Sequence, residues 1–220
     1  MTSEIYNVDC LEYMRGLPDN YFDLAIADPP YGGGNDSRID GGGRFGERFD
    51  RYKTNIVDWD IAPDQSFFDE LYRVSRNQII WGANYFEMPP TRCFVVWRKL
   101  TISENFSMAM AEYAWTSFKG NAKVFECAPQ DRRGGRFHPT AKPVELYGWL
   151  LKNFANTGDK IFDPMMGSQS SRIAAYMMGF DYCGCEVNKE YFDKGNELFR
   201  KECMNEILTD GKVIKELTLF

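Results

Sequence analysis

The chain has 220 residues, of which 44% are apolar and 15% aromatic, so a wholly disordered protein is excluded and one large domain can bury a core. Its 26 Lys and Arg against 32 Asp and Glu give a formal net charge of −6. This charge argues against a general nucleic-acid coat but not against a local basic groove. His138 is the single histidine, so a site built on two or three histidines is excluded.

The six cysteines form no C-x-x-C pair, and a structural zinc site would need nearly all of them gathered from distant segments. We therefore predict no metal site, and reduced, buried thiols in a cytoplasmic protein. The first residues lack the basic and apolar regions of a signal peptide, and no apolar run approaches the roughly 20 residues that span a bilayer. No membrane partner is expected.

Short apolar runs alternate along the chain with longer segments of helical periodicity. Five runs are predicted to be strands: 23–28, 77–81, 93–97, 160–163 and 182–186. Four segments are predicted to be helices: 63–76, 144–155, 170–178 and 189–203. Strands that alternate with helices predict one α/β domain over residues 1–220, with a mostly parallel sheet covered by helices on both faces.

Two segments depart from this alternation. Seven of the fifteen residues from 32 to 46 are glycine, and the run continues with several arginines to about residue 55. It predicts either a flexible surface insertion or a mobile loop that orders over a ligand. Residues 119–142 hold six Lys or Arg against two acidic residues, which predicts either a solvated basic face or a contact with a polyanion.

The sequence Asp28-Pro29-Pro30-Tyr31 directly follows a predicted strand. Ligands of open α/β sheets bind beyond the carboxyl ends of the strands, so Asp28 lies where chemistry is expected. Proline has no N–H, which leaves the Pro29 carbonyl free to accept a hydrogen bond. A carboxylate, a carbonyl and an aromatic ring in four residues suit a planar amine; a simple proline turn is the alternative.

A second strand, 160–163, is followed by a turn of small residues, a predicted helix and a strand that ends at Glu186. In such a βαβ unit the turn lets a ligand approach the backbone, and the terminal carboxylate can bind a ribose diol. The pattern G-x-G-x-x-G is absent because Gly167 is the only glycine of the turn. A cofactor with ribose but no pyrophosphate therefore fits better than NAD or FAD, and an ordinary βα turn is the alternative.

These motifs resemble those of the S-adenosylmethionine-dependent DNA amino-methyltransferases. Residues 28–31 resemble their catalytic D-P-P-Y motif, and residues 163–171 resemble their cofactor motif D-P-F-x-G-S-G-T-T. Residues 138–143 are similar to their H-P-T-x-K-P element, and residues 8–14 to the segment before the catalytic strand. The order of the motifs resembles the β class, and weaker similarity at 80–84 and 111–114 extends the match over roughly residues 5–200.

The resemblance implies a Rossmann-like methyltransferase fold, S-adenosyl-L-methionine as cofactor, and methylation of adenine N6 in DNA by base flipping and in-line displacement. It assigns catalysis to Asp28, Pro29, Pro30 and Tyr31. It assigns cofactor binding to Asp9, Cys10, Thr140, Lys142, Asp163, Pro164, Met165, Gly167, Ser168, Gln169, Ser170, Ser171, Glu186 and Val187. Within this set, we expect Lys142 to bind the methionine carboxylate, and His138 either to order a turn or to contact the cofactor.

DNA contacts are expected from the glycine-rich loop at about 32–55 and from a small recognition segment at about 101–137. The candidate side chains for phosphate or base contacts are Arg44, Arg48, Arg51, Arg132, Arg133 and Arg136. By analogy with the family, a homodimer and a cognate restriction endonuclease are further expected partners.

Two positions depart from the family motif. Met165 replaces its phenylalanine, and Gln169 replaces its second glycine, where a side chain either crowds the methionine group or hydrogen-bonds to it. Gln169 therefore keeps open the alternative of a catalytically inactive DNA-binding protein. A cytosine-N4 target is the other alternative, although Asp28 resembles the adenine enzymes more. A nucleotide-dependent oxidoreductase is disfavoured by the missing glycine pattern.

Overall fold

The structure is a computed structural model that describes residues 1–32, 61–105, 109–129, 137–138, 140–209 and 212–215. Eight strands of the described chain form one sheet in the order β1-β8-β7-β2-β3-β5-β4-β6. They are β1 (Ser3–Tyr6), β2 (Phe22–Ala27), β3 (Ser75–Trp81), β4 (Phe94–Lys99), β5 (Ala111–Thr116), β6 (Lys123–Cys127), β7 (Lys160–Asp163) and β8 (Asp181–Cys185). A separate antiparallel hairpin pairs β9 (Glu206–Thr209) with β10 (Lys212–Lys215).

Five helices accompany these strands within the same ranges. They are α1 (Cys10–Arg15), α2 (Gln65–Val74), α3 (Val144–Phe154), α4 (Ser170–Met177) and α5 (Lys189–Met204), with a short 3₁₀ turn at Ala83–Tyr85. None of the helices in the described ranges has the length and apolar character needed to cross a bilayer.

The direction of the strands decides what meets at each edge of the sheet. Every pair is parallel except β3–β5 and β4–β5, so β5 runs against all of its described partners. The carboxyl ends of β2, β3, β4, β7 and β8 therefore share one edge with the start of β5. In the β4–β5 register Trp97 lies opposite Glu112, which places Glu112 at this edge.

Helices cover both faces of the sheet, which confirms the predicted α/β class. On one face, Leu24, Ile26 and Ile79 pack in a single buried cluster with side chains of α3, α4 and α5. On the other face, Phe22 and Ile80 pack with side chains of α1 and α2. Burial on both faces explains why these strands are continuously apolar.

The predicted strands and helices lie within a few residues of the observed ones, and the strand 160–163 coincides with β7. The predicted recognition segment, 101–137, contains β5 and β6, so part of it belongs to the central sheet. Most of the glycine-rich loop lies outside the described residues, and so do the six arginines predicted to contact DNA: Arg44, Arg48, Arg51, Arg132, Arg133 and Arg136.

Candidate active site

A cavity of about 810 Å³ opens at the edge where the carboxyl ends of the strands meet. Its volume lies within the range of about 300–1,000 Å³ that is usual for small-molecule and cofactor sites. One end is lined by the residues that follow β2, together with Glu112 and Lys99. The other end is lined by the residues that follow β7 and β8 and by the start of α1.

Asp28 follows β2 directly and carries its carboxylate into the cavity. The Tyr31 hydroxyl donates a hydrogen bond of 2.8 Å to Oδ1 of Asp28. The other oxygen, Oδ2, forms an ion pair with Nζ of Lys142. Pro29 and Pro30 also line the cavity, so the whole predicted catalytic motif lies at its wall.

Asp28 is the first of four charged side chains that form a continuous series of ion pairs, called here the charged chain. Nζ of Lys142 lies 3.2 Å from Oε2 of Glu112, in addition to its ion pair with Asp28. Oε1 of Glu112 lies 2.5 Å from Nζ of Lys99. The charges alternate in the order Asp28, Lys142, Glu112, Lys99, so the chain contains two cations and two anions and is formally neutral.

Burial and pairing push the pKa values of the two carboxyl groups apart. Burial raises the pKa of Asp28, and the Glu112 carboxylate adds to this, while Lys142 opposes it. Burial also acts to raise the pKa of Glu112, but the Lys142 and Lys99 ammonium groups outweigh it and lower that pKa. Glu112 is thus the fixed anion of the chain, and Asp28 is the carboxylate that more readily takes a proton.

Lys142 stays charged although it is buried, with 3% of its side chain exposed. Burial acts to lower its pKa, but the Asp28 and Glu112 carboxylates raise it above the ordinary value. Its ammonium also lies 5.4 Å from the centre of the Trp81 ring, where an aromatic face adds attraction for a cation.

Two tyrosine rings stack at the mouth of this end of the cavity. The Tyr31 and Tyr85 ring centres are 4.9 Å apart, with an angle of 13° between the planes. Tyr85 belongs to the 3₁₀ turn after β3 and is 62% exposed. The Tyr31 ring lies on Gly82, where an added Cβ would stand 2.0 Å from ring atom Cε1. Gly82 also has φ +64°, a left-handed conformation that favours glycine.

The turn after β7 is held from beneath by Asp163. This carboxylate accepts hydrogen bonds from the Met165 N–H at 3.0 Å and from the Ser171 hydroxyl at 2.5 Å. Burial raises the pKa of Asp163 to about 7, against the effect of these two hydrogen bonds. The turn then passes Gly167, whose φ is +50° and where an added Cβ would lie 3.0 Å from Nε2 of His138.

Glu186 directly follows β8 and lines the cavity near the Gly167 turn. Its Oε2 accepts the Gly167 N–H at 2.8 Å, and its Oε1 accepts the Asn188 N–H at 2.8 Å. Burial raises its pKa, although both hydrogen bonds oppose the shift. A carboxylate oxygen accepts more than one hydrogen bond, so Glu186 can also bind hydroxyl groups of a ligand in the cavity.

Comparison with known proteins identifies the family. The sequence pattern of the DNA methylase family N6_N4_Mtase matches residues 80–197, more than half of the chain. The chain belongs to this DNA methylase family.

Relatives and solved structures extend the match beyond these residues. YubD of Escherichia coli strain K12, provisionally assigned as a methylase, is 26% identical to the chain and aligns over 86% of each protein. The orphan methyltransferase M.BamHII of Bacillus amyloliquefaciens is 33% identical over 75 residues, 34% of this chain and 28% of its own.

Three solved structures show the same fold at low identity. TTHA0409 of Thermus thermophilus, complexed with S-adenosyl-L-methionine, covers 97% of both chains with a TM-score of 0.57 and 16% identity. The M1.HpyAVI complex with SAM covers 90% of this chain and 98% of its own, with a TM-score of 0.57 and 19% identity. The PvuII cytosine-N4-specific methyltransferase covers 96% and 97%, with a TM-score of 0.58 and 12% identity. The expected Rossmann-like methyltransferase fold is confirmed.

Most of the residues predicted to bind the cofactor line the cavity of this DNA methylase. The ten that line it are Asp9, Cys10, Thr140, Lys142, Pro164, Met165, Gly167, Ser168, Glu186 and Val187. The other four lie behind the turn: Asp163, Gln169, Ser170 and Ser171. Lys142 forms ion pairs with Asp28 and Glu112, and its expected contact with the methionine carboxylate of the cofactor stays a prediction.

Gln169 is fully buried, and its side chain turns towards α5. Its Nε2 donates to the Phe192 carbonyl at 3.0 Å, and its Oε1 accepts from Arg172 at 2.8 Å. The amide lies on Gly195, where an added Cβ would be 2.6 Å away. Protein groups of α4 and α5 thus hold the Gln169 amide, and its effect on the methionine group, crowding or a hydrogen bond, stays a prediction.

His138 lines the cavity beside Gly167 and packs edge-on against Tyr191, with 4.4 Å between the ring centres. Burial, helped by the nearby Lys142 charge, lowers the pKa of His138 to about 4. The ring is therefore neutral at pH 7 and acts here as a packing group and a hydrogen-bonding group.

Several lining residues of the DNA methylase were not predicted from the sequence. These residues are Lys99, Glu112, Tyr85 and Trp97. The weak family similarity at 80–84 and 111–114 was the available signal, but it assigned no role to any side chain.

We expect Gly82→Ala to push the Tyr31 ring from its place beside Asp28. Overpacking of this kind typically costs about 1–3 kcal/mol of unfolding free energy, which chemical denaturation measures. Methyl transfer to DNA should fall with it.

The matched control is Gly179→Ala, because Gly179 also has a positive φ, of 80°, but its added Cβ meets no atom of the described residues within 4 Å beyond Gly179 and its two chain neighbours. An equal loss of unfolding free energy in the two variants would show that the Tyr31 contact is not the cause.

Proposed function

We propose that the chain transfers a methyl group from S-adenosyl-L-methionine to the exocyclic N6 amine of adenine in DNA. The observation that supports this best is one cavity with two chemically different ends. Asp28 and the Tyr31 ring provide acceptors and a stacking surface for an amine-bearing base at one end. The Glu186 carboxylate and the Gly167 turn provide a ribose site at the other.

The cofactor fits the donor set at the Glu186 end. Glu186 lies where a strand-terminal acid binds a ribose diol in this type of fold, and Asp9, the N-cap of α1, also lines the cavity. Met165, Val187 and Cys10 supply apolar walls for a nucleoside ring. S-adenosyl-L-methionine, when bound, supplies an electrophilic methyl group, and two of the similar solved structures contain it.

The residues that follow β2 prepare the amine of the target base. Such an amine is a poor nucleophile because its lone pair is delocalised into the ring. Hydrogen bonds from its two N–H groups to the Asp28 carboxylate and the Pro29 carbonyl would favour a pyramidal nitrogen with a localised lone pair. Most of the remaining rate enhancement comes from alignment of the reacting groups.

Asp28 is also the proposed acceptor of the amine proton. Its pKa is raised by burial and by Glu112, whereas the pKa of Glu112 is lowered, so the proton goes to Asp28. The Tyr31 hydroxyl donates to Asp28 and its pKa is raised, first by burial and then by the Asp28 charge, so Tyr31 remains a neutral donor.

The target base has to leave the DNA duplex, at a cost of a few kcal/mol, before its amine reaches Asp28. Tyr85 is exposed and its ring stacks on Tyr31, so Tyr85 offers an aromatic face where an extruded base can stack. Stacking of a base on an aromatic side chain contributes about 1–3 kcal/mol, which offsets much of the cost of unstacking.

The choice of adenine rests on Asp28, since the first motif position is more often serine in the cytosine-N4 enzymes. Mass spectrometry of nucleosides from DNA incubated with the protein and S-adenosyl-L-methionine should give N6-methyladenine. N4-methylcytosine as the product would overturn the adenine assignment and leave the amino-methyltransferase proposal standing.

We expect Asp28→Ala to reduce methyl transfer by about a hundredfold or more, because both an acceptor of the amine hydrogen bonds and a proton acceptor are lost. Transfer of a radiolabelled methyl group to DNA measures this loss. Calorimetric titration with S-adenosyl-L-methionine serves as the control and should show nearly unchanged affinity. Retained turnover would remove Asp28 from the catalytic role.

Tyr85→Ala should weaken the stacking of an extruded base, by about 1–3 kcal/mol. Fluorescence of 2-aminopurine placed at the methylated position reports base extrusion and should show less extruded base with Tyr85→Ala. Tyr85→Phe keeps the ring and should behave like the wild type. Equal loss in both variants would mean that the hydroxyl, and not the ring face, is what matters.

Gln169→Gly should lower the free energy of unfolding by about 1–3 kcal/mol, because the buried Arg172 and the Phe192 carbonyl lose hydrogen bonds to it. Relief of the positive φ at this position offsets part of the loss. Thermal unfolding measures the change, and calorimetry should show unchanged affinity for S-adenosyl-L-methionine. Tighter binding in Gln169→Gly would show that the glutamine crowds the cofactor after all.

A further inference from the structure

The charged chain behind Asp28 depends on the direction of one strand. Glu112 is the second residue of β5, and β5 alone among the described strands of the sheet runs opposite to its neighbours. A parallel strand at this place would put its last residues at the cavity. The reversal brings the start of β5 there, between the end of β4 with Lys99 and the Lys142 side chain.

Glu112 is linked to Asp28 through Lys142. Its Oε2 lies 3.2 Å from Nζ of Lys142 and, although buried, makes no geometrically regular hydrogen bond within the described residues. Its Oε1 is occupied by Lys99 at 2.5 Å. The Lys142 ammonium is thus held between two carboxylates and also lies 3.5 Å from the Tyr31 hydroxyl oxygen.

We infer that Glu112 is a positioning residue for methyl transfer: it holds the Lys142 ammonium in place and shares its charge, so that Asp28 remains able to take the amine proton. This inference rests on the proposed function of Asp28. During the reaction one N–H bond of the amine breaks, its proton binds an oxygen of Asp28, and Glu112 and Lys142 keep their protonation states.

The physical effect follows from counting the charges in the chain. Loss of the Glu112 charge leaves two cations and one anion, and the full attraction of Lys142 then acts on Asp28. The pKa of Asp28 should fall, which makes Asp28 a weaker proton acceptor. Loss of the Lys99 charge leaves two anions and one cation, and Glu112 is then free to repel Asp28 more strongly. The pKa of Asp28 should rise.

Other titratable groups also lie near Asp28 and Lys142, and their titration has to be distinguished from that of Asp28. Tyr31 and Tyr147 act on Asp28 as neutral groups, because burial raises the pKa of both. His138 faces Lys142 and is neutral at pH 7, since burial lowers its pKa to about 4. Burial, with a smaller contribution from the Asp28 charge, raises the pKa of Asp163 to about 7, so Asp163 titrates near neutral pH itself.

The experiment therefore measures the pKa of the Asp28 carboxyl group directly. The full chain is labelled with ¹³C at aspartate carboxyl groups, and the Asp28 signal is assigned by its loss in Asp28→Ala. Its pH titration by NMR is compared in the wild type, Glu112→Gln and Lys99→Met, without DNA or cofactor. The pKa should fall by about one unit in Glu112→Gln and rise, by less, in Lys99→Met.

Methyl transfer in a single turnover gives the second reading. The acidic limb of its pH profile should move to lower pH in Glu112→Gln and to higher pH in Lys99→Met, with a lower maximal rate in Glu112→Gln. Glu70→Gln is the matched control, because it removes a partly buried carboxylate that pairs with Arg73 at 2.6 Å within α2 and does not line the cavity. It should leave both readings unchanged.

Shifts of opposite sign in the two variants support the inference. Unchanged titrations, or shifts in the same direction, overturn it, since a purely structural role predicts damage without an opposite effect of Lys99→Met. The two proposals fail separately. A wild-type protein that transfers no methyl group to DNA contradicts the proposed function, whereas the NMR titration still tests the coupling of Glu112 to Asp28.

Discussion

The structure of the site depends on four buried or half-buried charges that lie at the end of an apolar sheet. Each charge is costly to remove from water, and only close pairing with good geometry compensates that cost. Asp28 therefore needs Lys142, Lys142 needs a second carboxylate to hold it, and Glu112 needs Lys99. Removing one of these four side chains leaves an uncompensated buried charge. The ion pairs therefore fix the positions of the strand ends and loops that carry the four residues.

In the turn after β7, some residues hold the shape of the turn and others line the cavity. Residues of the same short motif face in two directions, because a tight turn at the start of a helix alternates its side chains between the ligand and the protein. Asp163, Gln169 and Ser171 bind protein groups and hold the turn in shape. Gly167 and Met165 are left at the cavity wall. A motif match therefore identifies the element that forms a site more reliably than it identifies the side chains that touch a ligand.

The sequence predicted the buried core of the fold because its central strands are apolar on both faces, as in β2 and β7. It did not place β1, β5 or β6. The burial of β1 alternates and that of β6 is slight, and both lie at the edges of the sheet, whereas β5 is interior but exposed or half-buried over its first three residues. The D-P-P-Y motif identified Asp28 as a candidate because a carboxylate, a free carbonyl and an aromatic ring occur there within four consecutive residues. The ion pair between Glu112 and Lys142 joins residues far apart in the chain, and only the reversed direction of β5 brings them together.

The same charge balance explains how Asp28 could act repeatedly in its proposed role as the proton acceptor. A proton on Asp28 converts the neutral series of four charges into one with two cations and one anion, so the Lys142 charge opposes the protonated state that burial favours. The protonated state is therefore short-lived if the proton has a way out. Asp28 is 19% exposed to the cavity, whereas Lys142 behind it is 3% exposed, so the proton leaves from the cavity side and the ammonium stays. Burial favours the binding of a proton to Asp28, and the Lys142 charge favours the loss of that proton. A proton acceptor that has to be regenerated after each methyl transfer, the proposed role of Asp28, needs both properties.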